Sequence, residues 1–267
     1  MRTLLRYAGA MCLALGVVLP QGAWSYPAFA RLPYVSDAAP FCAGCHASTD
    51  AAYHPELPAA ASQAQVYTSK HYAALEKGDG AYRLLSAQER EQLLALAKKI
   101  DQHASVTLEA PSSAAPGEVI TVTVTARGGI GPQVGLMLVD APLRYQARPI
   151  QATGWYIVEA PQVIGPDGQA QTTWLARRYD PRSTNLNFVL VYGVKAEPER
   201  DRYPTVKVTY RLRAPQDPGE YTMTAAFLYG TADPDELKTG EYVNPPGGTT
   251  APSGRVQFAD VARIRVQ

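Results

Sequence analysis

Two hydrophobic periods divide the chain near residue 105. Before it, Leu93, Leu94, Leu96, Ala97 and Ile100 recur at helical spacing, while Glu89, Arg90, Glu91, Lys98 and Lys99 occupy the opposite face. Ser86 followed three residues later by Glu89 is a capping box, so a helix is predicted to begin there. Acidic residues lead and basic residues trail, as the helix dipole favours. A single amphipathic helix of this length is marginal alone and needs a bound cofactor or the second half of the chain as its counterface. Beyond Ser105 the period drops to two. From Glu118 to Ala126 valines and threonines alternate, the pattern of a half-buried strand. Further strands are predicted over 106–110, 134–140, 154–160, 169–175, 186–194, 204–213, 219–229 and 256–266. Turn residues punctuate them, as in Gly165-Pro166-Asp167-Gly168. Eight or nine short strands without intervening helices predict an antiparallel β-sandwich over 105–267. In that half, Trp155 and Trp174 read as core. Tyr221, after the turn that starts at Pro215, reads as a corner tyrosine bonded back to backbone.

Composition narrows the class. The chain has 267 residues, 46% of them hydrophobic and 18% charged, which suits a globular protein rather than a disordered one. Lys plus Arg is 25 and Asp plus Glu is 24, a formal net charge of +1. Nucleic acid is therefore not an expected partner, since no dominant basic footprint is present. Arg2 and Arg6, the short apolar run from Tyr7 to Leu19, and Ala23-Trp24-Ser25 after a Pro20-Gln21-Gly22 break have the form of an export signal over 1–25. Cys12 would leave with it. No later segment is long and apolar enough to be expected to span a bilayer. The expected location is the bacterial periplasm or the cell exterior.

The mature chain then keeps Cys42 and Cys45, in Phe41-Cys42-Ala43-Gly44-Cys45-His46. Cys-x-x-Cys-His is the covalent attachment signature of a c-type haem. Two thiols separated by two residues match the spacing of the haem vinyl groups, and His46 follows closely enough to ligate the iron from the proximal side. A thioredoxin-like pair would need a surrounding βαβ pattern, which the Pro-rich flanks lack. A zinc site would draw on His54 or His71 as a further ligand. A plain disulfide is the third alternative. One motif implies one haem c, with His46 as the proximal metal ligand. For the distal position His71 leads, 25 residues beyond His46 in a helical-looking segment. His54, Met137, Met223 or no protein ligand are the alternatives, and His103 reads as a dipole partner at a helix end. Tyr67, Tyr72 and Tyr82 flank this half, where they could pack against the macrocycle.

On Cys42, Cys45 and His46, with the helix after Ser86 as its closing helix, the chain resembles the mono-haem c-type cytochromes over residues 38 to 103. On Ala115-Pro116-Gly117-Glu118 and Pro218-Gly219-Glu220-Tyr221-Thr222, its second half resembles immunoglobulin-like and reelin-type sandwich domains. Together these resemblances imply an α+β multidomain protein. A signal peptide (1–25) would precede a small, mostly helical haem domain (26–104) and an immunoglobulin-like antiparallel β-sandwich (105–267). The implied function is a periplasmic or extracellular electron carrier docked by its sandwich to a redox protein or enzyme complex of the cell envelope, with self-assembly possible. The alternatives are a haem-based sensor or catalytic subunit with an open axial site, or a structural or adhesive sandwich protein with a stabilising haem.

Overall fold

The structure is a computed structural model and describes residues 72–79, 82–83, 85–142, 149–175, 186–230 and 255–267. Among the described residues two α-helices, α1 (Ala73–Lys77) and α2 (Ala87–His103), precede eleven strands. In order these are β1 (Ser105–Glu109), β2 (Ser113–Ala114), β3 (Val119–Arg127), β4 (Ile130–Val139), β5 (Tyr156–Ile157) and β6 (Gln162–Ile164). They continue with β7 (Phe188–Tyr192), β8 (Thr205–Arg213), β9 (Gly219–Gly230), β10 (Arg255–Phe258) and β11 (Ala262–Val266).

The strands form two facing sheets. Sheet I has the order β1-β3-β8-β5, with β6 also on β8. Sheet II has the order β2-β11-β9-β4-β7, with β10 also on β9. The β3–β4 connection crosses between the sheets. Its two residues, Gly128 and Gly129, both have positive φ (85° and 82°), a conformation glycine adopts without strain. A side chain at Gly129 would also collide with Tyr229, its Cβ lying 2.7 Å from that of the tyrosine.

The alternation predicted for sheet I is present. In β3 and β8 every second residue is buried: Ile120, Val122, Val124 and Ala126, with Val206, Val208, Tyr210 and Leu212 opposite. Sheet II departs from it. On β11, Ile264 and Val266 are buried whereas Arg263 and Arg265 are exposed, which marks the face turned toward sheet I. Higher up the same sheet both faces are dry. Leu136, Phe227 and Val189 form one cross-strand row, Met137, Ala226 and Phe188 the next, and all of them are buried.

Two predicted strands are altered by tertiary contacts. The stretch 169–175 is a turn segment, because Gln171 turns its side chain onto the edge of β7. The Gln171 amide accepts from Tyr192 N at 2.9 Å and donates to Tyr192 O at 3.0 Å, imitating a neighbouring strand. Gly165 leaves the room for it, since a Cβ there would run into the Gln171 amide. The stretch 256–266 is broken into β10 and β11. Ala259 N donates to Ala225 O (2.9 Å), and Ala259 O accepts from the buried Thr224 hydroxyl (2.7 Å). The expected tyrosine corner forms: Tyr221 OH donates to Asp217 O at 2.8 Å and the ring meets Trp155 edge-on. Trp155 and Trp174 are core, as expected.

The expectation of an α+β protein with a separate helical haem domain is overturned. The described chain is predominantly β, and α2 is built into the sandwich. Its cap is the predicted one: Ser86 Oγ accepts from Glu89 N, while Glu89 Oε2 accepts from Ser86 N at 2.7 Å. Those hydrogen bonds hold the Glu89 carboxyl below its ordinary pKa. Leu93 and Ala97 pack with Leu75, Tyr82 and Leu85, and Ile100 enters the main core beside β1 and its neighbours. The helix ends at His103 and β1 starts at Ser105, so the change of period lies where the sequence placed it, but one packed body straddles it.

Candidate functional site

The residues expected to hold haem, Cys42, Cys45, His46 and His71, lie outside the described residues, as do His54 and Tyr67. The remaining distal-ligand candidates are placed. Met137 and Met223 are strand residues of sheet II, both buried, and their thioethers pack the core. His103 closes α2: Nδ1 bonds Lys99 O at 2.9 Å, and the ring stacks on Tyr203 at 4.3 Å. Among the described residues no group of three His, Cys, Asp or Glu could hold a metal ion. The helix expected to close a cytochrome pocket has its buried face filled by α1, the 82–85 turn and the sandwich. The reading as a cytochrome-type electron carrier is corrected on that ground, and with it the terms cytochrome c, haem, iron and electron transport as a description of this fold.

At the junction of α2 with the sandwich sits a polar knot that sequence reasoning missed. Asp101 accepts from Tyr229 OH at 2.9 Å through Oδ1 and from Tyr72 OH at 2.5 Å through Oδ2. Gln257 Nε2 donates to Tyr229 OH at 2.9 Å and to Asp101 O at 3.3 Å. The Asp101 carboxylate thus joins the residue before α1 and strand β9 to the end of α2, and Gln257 of β10 adds to the knot through the Asp101 carbonyl and the Tyr229 hydroxyl. Tyr72 contributes its hydroxyl to this knot, and Tyr82 is buried between the helices. Beside the knot, Tyr203 lies between His103 and the Arg127 guanidinium, which is 5.1 Å from its ring centre. Burial raises the Tyr203 phenol pKa, with Asp201 adding to the effect.

Among the described residues, the outer face of sheet I carries a regular array of threonines and cations. Nine consecutive β3–β8 pairs, Val119↔Arg213 through Arg127↔Thr205, run without a bulge. Cross-strand rows follow from the register: Glu109–Thr123–Thr209–Gln162, and next to it Thr107–Thr125–Lys207–Ile164. Toward one end Thr121 pairs with Arg211, and Val119, Arg213 and Tyr156 share the last row. Tyr156 is 42% exposed and Val119 36%, with the Arg213 guanidinium 5.5 Å from the tyrosine ring centre. Arg211 meets Glu159 at 3.7 Å, a solvent-screened pair. Lys207 has no ion-pair partner among the described residues. The Thr-x-Thr-x-Thr run was the sequence signal for this face; the cations flanking it across the strands were not visible before the register was known. A smaller polar hollow lies at the lower end of sheet II, lined by Ser112, Ser113, Glu220, Arg263, Arg265 and Gln267, with Arg263 on Glu220 at 2.9 Å.

No protein family and no curated protein matches the chain. Among solved structures, it is similar to the CARDB domain of a Pyrococcus furiosus protein crystallised with two metal ions, at 12% identity and a TM-score of 0.24 over 62% of this chain and 90% of that one. It is also similar to the C-terminal domain of a Streptococcus pyogenes antigen I/II-family protein, at 9% identity and a TM-score of 0.25 over 61% of this chain and 52% of that one. What the described residues are made of is therefore stated from their own coordinates: a β-sandwich with a helix docked on it and a threonine- and cation-bearing outer face on sheet I.

Proposed function

We propose that this chain is an exported β-sandwich docking module of the bacterial cell envelope, whose Cys42-x-x-Cys45-His46 segment takes one haem c covalently. The observation that carries the docking role is the outer face of sheet I. Its inner side belongs to the main core, so the outer side is a rigid platform with its polar residues turned to water. The middle of that face is threonine and lysine, with the apolar Val119 and Tyr156 confined to its end row, which fits a hydrated envelope partner.

The donor set of the motif supports the haem. Cys42 and Cys45 would form the two thioethers, and His46 would ligate the iron. When bound, the group supplies an iron centre held at the chain by covalent bonds. With Met137 and Met223 committed to the core, a distal protein ligand would come from His71 or His54.

The test is expression with the native leader in a host that matures c-type haems, followed by fractionation and a pyridine haemochrome. Export, one thioether-linked haem, and a sandwich whose stability changes by less than about 0.5 kcal/mol in a Cys42→Ser/Cys45→Ser double variant are expected. Retention in the cytoplasm, or a sandwich that unfolds once the thiols are gone, would overturn the role. Export without haem would remove the cofactor and leave the docking module.

A further inference from the structure

We infer that the outer face of sheet I binds a carboxylated polysaccharide, an inference that rests on the docking role proposed above and names its partner. Three features lead to it. The first is extent: nine residues of strand, at about 3.3 Å each, and strands about 4.8 Å apart give an area that suits an extended polymer. The second is charge. Among the described residues, Arg127, Lys207, Arg211 and Arg213 stand on this face, with carboxylates at its margins: Glu109 on β1, and Glu159 after β5, which pairs with Arg211. Lys207 sits mid-face, flanked in register by Thr125 and Ile164. The third is hydrogen bonding. Thr107, Thr123, Thr125 and Thr209 bring hydroxyls to the two central rows, each able to donate and accept, as the hydroxyls of a sugar chain require.

Other occupants fit less well. A protein interface needs a desolvated apolar centre with aromatic or aliphatic anchors. Here the centre is threonine and lysine, and Tyr156 and Val119 stand together in the end row. That margin suits a sugar ring stacked on Tyr156. A nucleic acid presents about one charge per 1.7 Å of duplex, far denser than the cations on this face.

The experiment uses the full exported chain and sodium polygalacturonate as probe, at about 50 mM salt where exposed charges are least screened. Neutral dextran, poly-glutamate and duplex DNA are run beside it. Polygalacturonate is expected to bind and dextran not. A Lys207→Glu/Arg213→Glu variant, checked for an unchanged melting temperature, is expected to weaken binding by about tenfold or more. Thr123→Val/Thr209→Val keeps strand shape, removes two hydroxyls, and is expected to weaken binding a few-fold without altering salt dependence.

If folded, exported protein ignores polygalacturonate, or if neither variant changes its binding, this inference falls while the docking role stands. Equal or tighter binding of poly-glutamate or DNA would replace the polysaccharide with an acidic protein or a nucleic acid. A protein that is never exported removes the docking role itself, and the fractionation described above detects that separately.

Discussion

The two sheets use the same kind of strand for opposite ends. Sheet I keeps one face wet, and its long strands read as alternation, Val-Thr in β3 and Val-Lys-Val-Thr in β8. Over the upper part of sheet II both faces are dry, and its strands read as runs: Val134 through Val139 apart from Gly135, Phe188 through Val191, and Ala225 through Tyr229. A strand wet on one side tolerates every second residue being replaced. A strand dry on both sides tolerates almost none.

The sharpest way to break this comparison is to substitute neighbours. In sheet II, Leu136→Ala and Met137→Ala should each cost about 2–5 kcal/mol in urea unfolding, although they point to opposite faces. In sheet I, Leu212→Ala should cost the same about 2–5 kcal/mol while its neighbour Arg211→Ala stays within about 0.5 kcal/mol. Similar costs for Arg211 and Met137 would mean that the two sheets are not differently covered.

Next in size are the side-chain bonds that substitute for missing backbone neighbours. Gln171→Ala takes a partner from both backbone groups of Tyr192 and should cost about 1–3 kcal/mol. It also uncovers part of the β7 edge, so light scattering should show more self-association than in the parent. Asp101→Ala removes the shared acceptor of Tyr72 and Tyr229 and should cost about 1–3 kcal/mol. Proteolytic cutting ahead of α1 should rise with it. Unchanged cutting would show that the knot does not hold the helices to the sandwich.

A smaller effect tests the core by pH. Tyr210 is buried, its hydroxyl donates to Asn187 O at 3.1 Å, and burial pushes the phenol pKa up. The folded state keeps the proton that the unfolded chain loses near pH 10. Stability should therefore be intact below about pH 10 and fall as pH rises above it. Tyr210→Phe should flatten that alkaline fall, at a cost of about 0.5–1.5 kcal/mol at neutral pH for the lost bond. The smallest change is at the helix cap. Ser86→Ala should cost about 1 kcal/mol. In the parent, the Glu89 share of stability is present above the ordinary carboxylate range and is lost as pH falls through its lowered pKa, so the variant should show a weaker acid dependence.

Legibility followed the range of the contacts involved. The cap of α2, the alternation of β3 and β8, the Tyr221 corner and the buried tryptophans are local patterns, and all were readable. The segment around Gln171 alternated like a strand, yet it forms none, because a side chain 21 residues from Tyr192 found the edge of β7. The break between β10 and β11 has the same origin: the Thr224 hydroxyl, 35 residues away, takes the Ala259 carbonyl. The helix was read correctly, and of its two expected counterfaces, haem or the second half of the chain, the second half is the one the structure places against it. Amphipathic spacing states that a face must be buried but not against what, and Ile100 found the sandwich core.

By itself, then, the amino-acid sequence determined where helix yields to strand, which face of each sheet I strand turns inward, and which residue types sit in the Cys-x-x-Cys-His motif, since backbone propensity and short-range spacing encode all three. Only the tertiary structure decided that α2 belongs to the sandwich, that Asp101 ties four segments together, and that the Thr121–Thr125 run lies beside Lys207, Arg211 and Arg213 on one open face. Those outcomes depend on strand register and on contacts between distant parts of the chain, which local pattern does not specify.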